Sequence, residues 1–116
     1  MCSRMSTSSI SPVNTKLSIV YVTADETTAK TLAKGLITEK LAACVNISNV
    51  TSIYSWEGKI NEDTESLLMI KTKSELVDQL TQYVIKNHPY KVPEVISTSI
   101  ENGNSAYLDW VRDSVI

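Results

Sequence analysis

LSIVYVTADETTAKTLAKGLI, residues 17–37, changes its period halfway along. Leu17, Ile19 and Tyr21 alternate with Ser18, Val20 and Val22, the period of a strand, and this strand is apolar on both faces. Thr23 and Glu26 stand three apart, the spacing of a capping box. There the hydroxyl and the carboxylate satisfy free amides at a helix start. Ala29, Leu32, Ala33, Leu36 and Ile37 then recur at helical spacing. Gly35 weakens that helix only slightly.

The rest of the chain repeats the unit with a hairpin inserted. A second strand begins near Ala42, where Val45 and Ile47 alternate with Asn46 and Ser48, and extended character runs on to Trp56. Glu57-Gly58-Lys59 is a hairpin turn, with glycine available for positive φ. The third strand is strongest in ESLLMIKT, residues 65–72. Thr72 and Glu75 repeat the capping-box spacing, and Leu76, Val77, Leu80, Tyr83 and Val84 mark a second helix. That helix ends before Pro89, which disfavours helix at His88. Pro93 precedes a fourth strand over 94–100, and Asn104 or Ser105 caps a short last helix carrying Tyr107, Leu108 and Val111 on one side. The order β-α-β-β-α-β with a short C-terminal helix predicts an α+β, ferredoxin-like domain over residues 16–116. Right-handed crossovers place both long helices on one face of a four-stranded antiparallel sheet. Residues 1–15, rich in Ser and Thr, read as a flexible tail.

Two helices cover one sheet face only. The first strand offers Leu17, Ile19 and Tyr21 on one side and Val20 and Val22 on the other, and the third offers Leu67 and Met69 against Leu68 and Ile70. Whichever face is left bare is therefore apolar, and an exposed apolar face of that size is unusual on a monomer. The pattern predicts a closed symmetric oligomer, sheet against sheet, with the long hairpin reaching a neighbour.

Bulk properties narrow the function classes. Net charge is −2 and no Lys/Arg run exists, which argues against nucleic acid as a partner. No apolar stretch approaches the length of a membrane span. Two cysteines, Cys2 and Cys44, make no disulfide framework, so a reducing, cytoplasmic setting is expected. Gly35, Gly58 and Gly103 are too scattered for a phosphate loop, and no nucleophile elbow is present. An enzyme is not expected.

KLAACVNI, YSWEGKI, the Glu65 that opens ESLLMIKT, and HPYKVPEVIS occur in that order, and their combination resembles the CutA family of divalent-cation tolerance proteins. The resemblance runs from Leu17 to about Val111. It implies a ferredoxin-like homotrimer without enzymatic activity, linked in bacteria to tolerance of copper and other divalent metals. It also implies a trimeric architecture like that of PII-type signal proteins. A signalling or interaction scaffold, with a small molecule or a protein partner at the subunit cleft, is therefore the alternative reading.

HPYKVPE, residues 88–94, holds the only histidine. Cys44, His88 and Glu94 offer sulfur, nitrogen and oxygen donors, the candidate ligands for Cu(II) or another divalent cation. One chain has no His pair and no C-x-x-C, so a site shared between subunits or weak, exchangeable binding is expected. The plainer alternatives are a helix-ending His88 bonded to a carbonyl or to Glu94, and a buried, inert Cys44. Trp56, Tyr90, Pro93, Tyr107 and Trp110 are candidates to line a pocket at a subunit junction or to pack the trimer. Glu65 and Lys71 share a strand face six residues apart, too far for a direct pair, and are candidates for interface pairing or an anion pocket.

Overall fold

Strand alternation outlasts the helix signal at Thr23. In the computed structural model, which describes residues 15–116, β1 (Leu17–Ala24) runs through Thr23 before α1 (Glu26–Thr38) begins. Asp25 caps α1, accepting from the backbone N–H of Thr28 at 3.0 Å and from its hydroxyl at 2.6 Å. The capping box expected at Thr23 is thus displaced by two residues, because Thr23 is held in register opposite Leu67. The second box fails for the same reason. Thr72 stays in its strand and donates its hydroxyl to the Leu41 carbonyl, at 2.7 Å, in the interior.

After α1 come β2 (Cys44–Trp56) and β3 (Lys59–Lys73), a 3-10 turn at Ser74–Leu76, α2 (Val77–Asn87), β4 (Val95–Ile100) and α3 (Ser105–Ser114). The strands form one sheet in the order β2-β3-β1-β4, antiparallel throughout. This is the expected ferredoxin-like α+β arrangement. The tail expectation falls on residues outside the described ones, apart from Thr15, whose carbonyl accepts from Arg112 Nε at 2.9 Å.

One sheet face and two helices make the core. Val20, Val22, Leu68 and Ile70 meet Ala29, Leu32 and Leu36 of α1 and Leu80 and Val84 of α2, all buried. Each large side chain there contributes about 1.5–3 kcal/mol by leaving water. Gly35 has a packing reason that helical periodicity does not reveal. A Cβ at that position would lie 2.0 Å from the Tyr83 hydroxyl of α2.

The opposite face stays open. Cross-strand partners share a face, so Ile19, Tyr21, Leu67 and Met69 stand together on it, half-buried. Ile96, opposite Tyr21, is exposed there as well. The hairpin also outruns its neighbours. β1 pairs with β3 only as far as Ala24 opposite Ser66, while β2 and β3 continue to Trp56 opposite Lys59. Glu57 and Gly58 both take positive φ, 52° and 76°, the signature of a type I′ turn. The projecting ribbon stretches the molecule to 53 × 25 × 24 Å. It leaves Ile53 66% and Ile60 83% exposed.

Candidate functional site

The corner between α2 and β4 is built around its histidine. His88 leaves the helix in extended conformation, ahead of Pro89. Its ring is buried, with 7% of the residue exposed. The Tyr90 backbone N–H donates to Nδ1 at 3.1 Å, so Nδ1 holds the lone pair. Nε2 therefore carries the proton and donates it to the Thr23 carbonyl at 2.9 Å. Both ring nitrogens are occupied, and the ring ties the corner to the end of β1. The Tyr90 ring packs on it at 4.6 Å between centroids. A few residues on, Glu94 Oε1 accepts from the Thr23 hydroxyl at 3.4 Å.

This corner and the hairpin enclose a cleft of about 830 Å³. Tyr90, Lys91, Val92 and Glu94 line it from the corner, Thr23 from the end of β1, and Tyr54, Trp56, Asp63 and Glu65 from the hairpin. Register explains the hairpin's contribution. Ser52 opposes Asp63 and Tyr54 opposes Asn61, so the two aromatics and the two acids lie on one face of the ribbon.

Negative charge dominates the cleft, with three carboxylates against the single lysine Lys91. The phenols register it. Tyr54 donates to Asp63 Oδ2 at 2.5 Å, and that bond, then desolvation and the nearby charges of Asp63 and Glu65, holds its pKa above the ordinary tyrosine value. Tyr90 is raised as well, by burial first and then by Glu65, Asp25 and Asp63, with a hydrogen bond to Glu65 adding to the shift.

The other candidates stand elsewhere. Cys44 opposes Lys71, four positions along β3 from the Leu67 that faces Thr23. That is about 13 Å of strand. Cys44 is disulfide-bonded, which the two-cysteine count did not lead us to expect. A bridged sulfur offers no thiolate to a metal. Lys71 donates to Asn46 Oδ1, and burial pushes its ammonium pKa down. It lies about 20 Å of strand from Glu65. Tyr107 and Trp110 pack together on α3, 5.5 Å between centroids. The residues that follow α3 bond to Lys40 and Lys73, at the end of the sheet remote from the cleft.

One chain thus brings Trp56, Glu65, Tyr90 and Glu94 together with Pro93 alongside, and keeps Cys44, Lys71, Tyr107 and Trp110 apart from them. Among the described residues no group of three or more His, Cys, Asp or Glu is placed to hold a metal ion. A closed metal site built by Cys44, His88 and Glu94 within one chain does not fit this geometry. Sequence reading passed over Tyr54 and Asp63. The signal was there, since period-two counting sets Tyr54 beside Trp56 and Asp63 beside Glu65.

Comparison with known proteins bears on the whole domain. The model of the CutA1 divalent ion tolerance protein family matches residues 18–114. A Xenopus laevis protein named as a CutA homolog is 58% identical over 105 residues, covering 89% of this chain and 70% of that protein. The divalent-cation tolerance protein CutA of Thermus thermophilus is 46% identical over 98 residues, 83% of this chain and 95% of that one. The crystal structure of CutA1 from Oryza sativa superposes with a TM-score of 0.85 at 48% identity, covering 88% of this chain and 95% of that one. Against the human protein the match spans 83% of this chain and 55% of its relative, so this chain accounts for about half of that protein's length.

Proposed function

The chain belongs to the CutA1 divalent ion tolerance family, and on that premise we propose that it acts as a homotrimer whose clefts bind divalent cations, Cu(II) foremost, in tolerance of those ions. The acidic cleft carries this reading. Asp63, Glu65 and Glu94 face a single Lys91 there. The carboxylates are spread out, which fits weak, exchangeable binding completed by a neighbouring subunit. Among first-row divalent ions, Cu(II) binds a given oxygen site most tightly, ahead of Zn(II). The open apolar sheet face and the projecting hairpin support the trimer, since each would be covered by a neighbouring copy. The proposal contains no catalytic step.

Cytoplasmic residence belongs to the same proposal. The rice relative's name places that protein in the chloroplast. Among the described residues, no helix is long and apolar enough to cross a membrane. One observation favours a second reading, a PII-like scaffold holding a small molecule or a protein partner. Trp56 and Val92 at the cleft are 64% and 85% exposed, as apolar contact residues would be before a partner arrives.

The test joins light scattering to calorimetry. The reading expects the mass of a trimer and saturable Cu(II) binding, tighter than Zn(II) and weakened in Glu94→Gln. A monomer, or Cu(II) heats that never saturate, would refute it.

A further inference from the structure

The cleft is larger than an ion needs. At about 830 Å³ it falls in the range of small-molecule sites, about 300–1,000 Å³. Its walls set aromatic rings beside acids. Tyr54 has committed its hydroxyl to Asp63, which leaves its ring as the surface it offers, and the Tyr90 ring, packed against His88, lines the cleft from the corner. Trp56, the strongest cation–π residue type, lies on the same face of the ribbon as Tyr54.

Three ligand classes can be weighed against this chemistry. An anion meets net negative charge. A neutral apolar molecule would strip water from carboxylates without compensating them. A bare metal ion finds no group of three converging donors among the described residues of one chain and needs a neighbouring subunit to complete its shell. An alkylammonium needs no such completion. Its charge is diffuse and weakly hydrated, its body is apolar, and a dispersed negative field suits it as well as a focused one.

We propose that this cleft receives an organic alkylammonium cation, with Trp56 and Tyr90 as aromatic walls and Glu65 and Glu94 as counter-charge. The inference rests on the reading of the cleft as a cation site and narrows it, since metal ions and ammonium ions then compete for the same carboxylates.

Calorimetry on the full chain, with its mass checked by light scattering, tests this. The probes are (2-hydroxyethyl)trimethylammonium and its uncharged isostere 3,3-dimethyl-1-butanol. The ammonium should saturate, with the isostere about tenfold weaker or more. Trp56→Leu should weaken ammonium binding about fivefold, more than it weakens Cu(II) binding. Tyr90→Leu repeats the test on the opposite wall if Trp56→Leu alters the mass. Equal binding of the isostere, or ammonium binding untouched by the wall variants, overturns the inference. Cu(II) binding without ammonium binding also overturns it and leaves the metal reading standing. Ammonium binding without Cu(II) binding supports it and sinks the metal reading instead.

Discussion

Replacing His88 by alanine should damage the fold and spare ion binding. The substitution removes a ring that is buried and bonded at both nitrogens. The Thr23 carbonyl would lose its imidazole donor in the interior, a loss worth about 1–3 kcal/mol when nothing replaces it. The Tyr90 N–H lies nearer the surface, where water can take over, and its bond is worth about 1 kcal/mol. Together these give a destabilisation of about 2–4 kcal/mol, or a fall in Tm of roughly 8–16 °C for a domain of this size. Two conservative variants divide the effect. Asparagine places an oxygen where Nδ1 sits and keeps the Tyr90 bond; glutamine places an amide near Nε2 and keeps the Thr23 bond. Each should recover part of the loss. Guanidinium titrations at matched protein concentration give the stabilities, since an oligomer's midpoint depends on concentration. If His88→Ala left stability within about 0.5 kcal/mol of wild type and abolished Cu(II) binding, the strut assignment would be refuted and the ring would be a ligand.

Two further expectations concern the scaffold. Gly35→Ala would gain about 1 kcal/mol of helix propensity, yet its Cβ meets the Tyr83 hydroxyl at an overpacking cost of about 1–3 kcal/mol. Net destabilisation is expected by denaturant titration, with rescue in Gly35→Ala/Tyr83→Phe, and a single variant more stable than wild type would show that Tyr83 moves aside freely. Asp25 has its pKa lowered below 3.8, first by the Thr28 side-chain hydrogen bond. Its stabilising effect is therefore complete above 3.8 and lost as pH falls through the lowered value. Asp25→Ala should flatten the acid limb of a thermal-melt pH series, and an unchanged limb would dismiss that cap.

Much of the fold was legible because periodicity reports burial directly. Alternation sorts Val20, Val22, Leu68 and Ile70 from Ile19, Tyr21, Leu67 and Met69, though with both sets apolar only the packed helices show which is the core face, and Glu57-Gly58 announces the turn. The helix starts were misplaced because the same local signals at Thr23 and Thr72 serve strands, and cross-strand register decides between the two. The site was less legible. Cys44, His88 and Glu94 attract attention as donor types, but donor type says nothing about which lone pairs the backbone already occupies. The Nδ1 bond comes from two residues away and the Nε2 bond from the other end of the chain, at Thr23. The separation of Tyr107 and Trp110 from the cleft follows from where α3 folds back, a long-range fact with no local signature.

The most direct test is a pair of Cu(II) titrations by calorimetry, one on His88→Asn and one on Glu65→Gln, both verified as assembled by light scattering. The acidic cleft as cation site predicts wild-type affinity in the first and a loss of about tenfold or more in the second. Binding lost in His88→Asn and kept in Glu65→Gln would contradict it.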